Sequence, residues 1–174
     1  MTNSIWMASL VATAILFSLA LACGMPFAAL SAIAALTMAP KEAALLAGLG
    51  WLANQVIGFG VLGYPWDAVT LAWGVALGLS ALAAVAAAFF GARRVQKHGA
   101  GLRLASAFIA AWAAQQATVL AASVVLGGTA SAFAPSVVWF IFWTNALAFA
   151  VLAGTQALGA LAGVARNPLA RPLS

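Results

Sequence analysis

Uncharged amides set within long apolar runs are the residues of this chain best equipped for chemistry. Asn54-Gln55, Gln115-Gln116 and Asn145 each lie inside such a run, with Thr118 and Thr144 beside the last two. In a medium without water, a side-chain amide must find a hydrogen-bond partner or line a polar cavity. Two of the sets follow a tryptophan at the same spacing, in Trp51-Leu52-Ala53-Asn54-Gln55 and Trp112-Ala113-Ala114-Gln115-Gln116. Positions i, i+3 and i+4 share a helix face, so each helix presents an indole beside two amides. That combination suits a flat, hydrogen-bonding organic molecule. The same amides would also serve as interhelical glue, worth about 0.6 kcal/mol each. Three sets at one depth favour a pocket, with Trp51, Asn54, Gln55, Trp112, Gln115, Gln116 and Asn145 as its lining.

Other chemistry is poorly supplied. An enzyme needs an acid–base or nucleophile pair, a metal cluster or a cofactor anchor. His98 sits in a basic loop, while Glu42 and Asp67 fall on opposite sides of the expected bundle. One Cys and one His give neither a disulfide framework nor the usual zinc set. No glycine-rich phosphate loop is present, so the chain has no ATP site of its own. No carboxylate or histidine lies within an apolar run, which disfavours proton coupling. The expectation is a binding protein without catalysis, metal or cofactor.

The elements that position these amides follow from composition. Of 174 residues, 66% are hydrophobic and only 5% charged, too few to clothe a water-soluble globule. The net charge of +5 comes from Lys and Arg at the ends of apolar runs, so it reads as a topology signal and not as a nucleic-acid surface. A helix crosses about 30 Å of hydrocarbon in about 20 residues. The runs at 5–22, 25–39, 43–63, 68–92, 102–127 and 137–165 predict an all-α integral membrane bundle of about six transmembrane helices. The first two are divided at Cys23-Gly24-Met25-Pro26 by adjacent Gly and Pro. The second is short, and reads either as a tilted span or as a re-entrant arm. Six spans place Lys41, Arg93, Arg94, Lys97, Arg103, Arg166 and Arg171 on one side, which the positive-inside rule makes cytoplasmic, with both termini there and Asp67 outside. Residues 1–165 then form one transmembrane domain and 166–174 a short cytoplasmic tail, in a bacterial inner membrane. Leu19 to Gly24 has a faint look of a lipoprotein cleavage site, but no Lys or Arg precedes it as a signal peptide requires.

On the outer side, Tyr64-Pro65-Trp66-Asp67 is either part of an interfacial aromatic belt or a lid over an outward-facing pocket. Trp139 and Trp143, at i and i+4, have the same two uses, and Asn145 lies on the opposite face of their helix. Gly74-xxx-Gly78, Gly159-xxx-Gly163 and Ala8-xxx-Ala12 are spacings that let helix backbones approach. A 61-residue offset between the two tryptophan motifs hints at an internal duplication.

The size, the span count and the stretch Met38-Ala39-Pro40-Lys41-Glu42-Ala43-Ala44-Leu45-Leu46-Ala47-Gly48-Leu49-Gly50 resemble the substrate-binding membrane subunits, or S components, of energy-coupling factor vitamin transporters. The stretch looks like the short basic turn and small-residue helix start of that family. The resemblance covers the whole chain. It implies uptake of a vitamin or precursor of the cobalamin, biotin or thiamine type, bound from outside under the first, third and fifth connections. It also implies a coupling membrane subunit and ATPases as partners, contacted through Ala8 and Ala12, or a solitary mode as in some biotin and cobalamin members. The alternatives are a structural subunit of a larger membrane complex and a small exporter or channel.

Overall fold

The computed structural model describes residue 12 and residues 26–161. The first apolar run, Ala8, Cys23 and the tail 166–174 lie outside them; Ala12 is helical and exposed. The described residues form five main helices and no strand: α1 (Phe27–Thr37), α2 (Pro40–Val56), α3 (Ala68–Arg94), α4 (Ala100–Leu126) and α5 (Pro135–Leu161). A π-helical turn, Ile57–Val61, extends α2, and a single turn, Thr129–Ala132, lies between α4 and α5.

Local chemistry fixes the ends. Pro40 takes the first helical position of α2, where its missing N–H costs nothing, and Glu42 Oε2 accepts from the Ala39 N–H at 3.0 Å. Asp67 caps α3 by accepting from the Thr70 N–H at 2.8 Å, and that bond holds its carboxyl below the usual carboxylate range. Gly127 and Gly128, at φ of +86° and +87°, turn the chain out of α4 through conformations an L side chain rarely adopts.

The extended α2, α3, α4 and α5 are each long and apolar enough to cross a membrane. Their packing is inverted relative to a soluble bundle. On α3 the buried residues are Gly74, Ala76, Ser80, Ala81, Ala84, Val85, Ala88, Gly91 and Ala92, while Val75, Leu79, Leu82 and Phe90 are exposed. Small residues inside let backbones approach, and large apolar residues outside have a favourable environment only in lipid. This is an integral membrane bundle. The hairpins bring Lys41, Arg93, Arg94, Lys97 and Arg103 to one end, called the basic end below, and Asp67 to the other.

The second apolar run departs from a full crossing. α1 has 11 residues, about 16 Å of helix, roughly half the hydrocarbon thickness. Every residue from Phe27 to Leu36 is buried, so this short helix is the axis of the bundle rather than one of its walls. One side packs with Ala43, Leu46 and Ala47 of α2 and Ala148 and Leu152 of α5. The other meets Ala84, Ala88 and Ala92 of α3 and Ala107, Phe108 and Ala111 of α4. Among the described residues, the full-length spans therefore number four, with α1 a half-length helix at their centre.

Candidate functional site

The first turn of α1 lies at mid-depth, and its exposed N–H groups need acceptors there. Asn145 supplies one. Its side chain is only 1% exposed, and Oδ1 accepts from the N–H groups of Ala28 at 3.1 Å and Ala29 at 3.4 Å. Nδ2 donates to the Ile141 carbonyl one turn back on α5, which fixes the orientation of the amide. Asn145 lies ten residues into α5, about 15 Å from the Pro135 end of a helix about 40 Å long.

Two more buried amides lie at or beyond this level. Ala107, Ala111 and Gln115 occupy one stripe of α4, and the first two pack against α1, so Gln115 falls level with the first turn of α1 or just past it. It is 6% exposed. On α2 the buried stripe Ala43, Leu46, Ala47, Gly50 and Asn54 carries Asn54, 4% exposed, to the same region. Asn145 thus caps the beginning of the half-length helix, and α2 and α4 each carry a buried amide on the stripe that packs toward it.

The other expected site residues are placed differently. Trp51 donates from Nε1 to the Gly74 carbonyl at 2.7 Å. Its ring lies so close to Gly78 that a Cβ there would come within 3.0 Å, and a Cβ on Gly74 would come within 2.6 Å of Gln55 Oε1. The two glycines of the Gly74-xxx-Gly78 pattern therefore receive the Trp51 and Gln55 side chains, four residues apart on each antiparallel helix. Changing Trp51 to Phe removes this indole bond and the five-membered ring that lies against Gly78, while keeping a six-membered ring. The expected loss is about 1 kcal/mol of stability, read from the midpoint of detergent-induced unfolding.

Trp112 meets a different neighbour, Phe142, in a T-shaped contact at 5.4 Å between ring centres, beside a stack of Phe108 on Phe149 at 4.8 Å. The two tryptophan motifs thus have equal spacing and unlike partners. Gln116 is half-buried. Trp66 is 75% exposed and lies against Phe59 at 4.6 Å, with the Tyr64 edge on the same ring. Trp139, 63% exposed, packs edge-on against the exposed Trp143, on the face of α5 away from Asn145. Trp66 and Trp139 are therefore both exposed aromatic side chains, each packed on a neighbouring ring.

Of the two forms open to the second run, the half-length α1 is nearer the re-entrant arm, and Pro26 and the shortness of the run are its signals. Between α1, α2 and α3, a void of about 10 Å³ lined mainly by apolar residues, with Ser31 its polar member, has room for about one water molecule. It lies toward the basic end from the amides. Among the described residues no group of three or more His, Cys, Asp or Glu is placed to hold a metal ion. Compared with family models, curated proteins and solved structures, the chain matches none of them.

Proposed function

We propose that this chain is a solute-binding membrane transport protein that holds a small, largely neutral heterocycle at the mid-depth amides and takes it up across a bacterial inner membrane. The observation that carries this reading is the half-length α1, buried from Phe27 to Leu36, whose first N–H groups are capped by Asn145, with the buried Asn54 and Gln115 on the helix stripes of α2 and α4 that pack against it. Helices that stop at mid-membrane are recurrent binding elements in transporters, because their terminal backbone groups and neighbouring polar side chains gather where lipid would otherwise exclude them. The described spans lack a charge at that depth, which fits a neutral solute. In this reading the basic end is cytoplasmic. The resemblance to S components supplies the vitamin class and a coupling subunit with ATPases, or solitary operation, as the arrangement to test.

The experiment is purification of the full chain in lipid nanodiscs, mass spectrometry of any co-purified solute, and titration with biotin, thiamine and cobalamin. A stoichiometric ligand is expected, with affinity falling at least tenfold in Asn54→Leu. An empty preparation that binds nothing in the panel would remove the carrier reading. A second reading, a structural subunit of a larger membrane complex, is favoured by the internal engagement of Asn145 and Trp51. It predicts partners that co-purify and a binding surface indifferent to Asn54→Leu.

A further inference from the structure

Most of the polar side chains within the spans have found partners. The hydroxyls of Ser80, Thr118 and Ser123 donate to carbonyls of their own helices, Ser106 reaches the Gly91 carbonyl, the Trp51 indole reaches Gly74, and Asn145 is occupied at both ends of its amide. Against that background α4 carries an exception. The indole Nε1 of Trp112 and the Oε1 of Gln115 are both buried and have no hydrogen-bond partner. They stand at i and i+3, on one face of the helix, about 5–6 Å apart at Cβ. One is a donor and the other an acceptor. An unmade hydrogen bond at this depth is costly, and a donor and an acceptor left unpartnered on one helix face call for a group that serves both.

We infer that Trp112 and Gln115 form the recognition edge for a neutral cis-amide: a flat ring carrying a C=O next to an N–H, as in a lactam, a cyclic imide or a cyclic urea. The ring carbonyl accepts from the Trp112 indole, and the adjacent ring N–H donates to Gln115 Oε1. Three observations select this class. Trp112 and Phe142 present aromatic surface beside the pair, which suits a planar ring. No charged residue lies from 104 to 161, and between 43 and 92 the one charge is Asp67 at the opposite end from the basic loop, so a carboxylate or ammonium ligand would be desolvated without a counter-charge. Asn145 and the Trp51 indole already have partners, so the unpartnered pair on α4 supplies the polar edge. The inference rests on the carrier reading and narrows its substrate class.

The test uses the full chain in nanodiscs with ¹⁵N-labelled indoles. There are seven tryptophans, and the Trp112 signal is assigned by its loss in Trp112→Phe. Uracil and 2-pyrrolidinone carry the cis-amide edge, 1,3-dimethyluracil has the same ring without an N–H, and benzoate is flat and charged. Uracil is expected to shift the Trp112 N–H signal saturably. Affinity for 1,3-dimethyluracil should be at least tenfold weaker, and benzoate should leave the signal in place. Gln115→Leu should weaken uracil at least tenfold while the other six indole signals stay put, which reports an intact fold. Equal binding of uracil and dimethyluracil overturns the inference. So does a Trp112 signal that no probe moves and that exchanges only with water, because a trapped water then satisfies both groups. A co-purified solute lacking a cis-amide edge overturns it while leaving the carrier reading standing, whereas an empty preparation with no response to any probe removes both.

Discussion

Replacing Asn145 by leucine is expected to destabilise the protein by about 3–5 kcal/mol, the larger of the two effects argued in this section. The change strips the acceptor from two backbone N–H groups, those of Ala28 and Ala29, at a depth where water does not replace it. It also places an apolar side chain against the positive end of the α1 dipole. Because α1 packs against all four long helices, its loss does not stay local: both apolar clusters of the interior include α1 residues. Unfolding in mixed micelles gives the stability, and hydrogen exchange at Ala28 and Ala29 gives the cause, since these two amides should lose protection before the rest of α1. Asn145→Asp is the comparator. As the protonated acid it keeps an accepting oxygen toward the Ala28 and Ala29 N–H groups and an O–H toward the Ile141 carbonyl, and should recover more than half of the loss. A leucine variant within 1 kcal/mol of the parent would show that the cap is dispensable.

The long helices were legible because charges and turn residues bracket them. Lys41, Asp67, Arg93, Arg94 and Arg103 divide the chain where the structure does, apart from small shifts at the ends. Those shifts have a cause: Lys41 and Glu42 belong to the first turn of α2 and Arg93 and Arg94 to the last turn of α3, so charges that seem to lie between helices are in fact their ends. The face separation of Trp143 from Asn145 was legible too, from helix period alone. What was not legible is which face meets what. In a bundle with small residues inside and lipid outside, hydrophobicity hardly changes around a helix, so α1 gives no sign in its sequence of being covered on every side. Trp51 and Trp112 make the same point at one motif. Spacing put an indole and two amides on one face in both helices, but the first face meets Gly74 and Gly78 and the second meets Phe142, because the opposing helix differs.

Gly91→Ala is expected to cost about 3 kcal/mol, although alanine is the better helix former. The reason is the neighbour. A Cβ at position 91 would come within 2.6 Å of the Ser106 carbonyl oxygen and 2.9 Å of Ala110 Cβ. The first of these is helix backbone, which cannot rotate aside as a long side chain can, so α3 and α4 must separate. Separation also breaks the bond from Ser106 Oγ to the Gly91 carbonyl at 2.9 Å, and it opens the cradle in which Ala88, Ala92 and Ala107 hold α1. Two comparisons isolate the steric effect. Ser106→Ala removes the hydrogen bond and leaves the close approach, and should cost only about 1 kcal/mol. Gly48→Ala, inside α2 where an added methyl meets nothing within 4 Å, should be neutral or stabilising by up to about 1 kcal/mol. Unfolding midpoints of the three variants in one detergent system rank these effects. If Gly91→Ala matched Gly48→Ala, the α3–α4 contact would not be close enough to exclude a methyl group, and the small-residue packing that holds α1 at the bundle axis would need another basis.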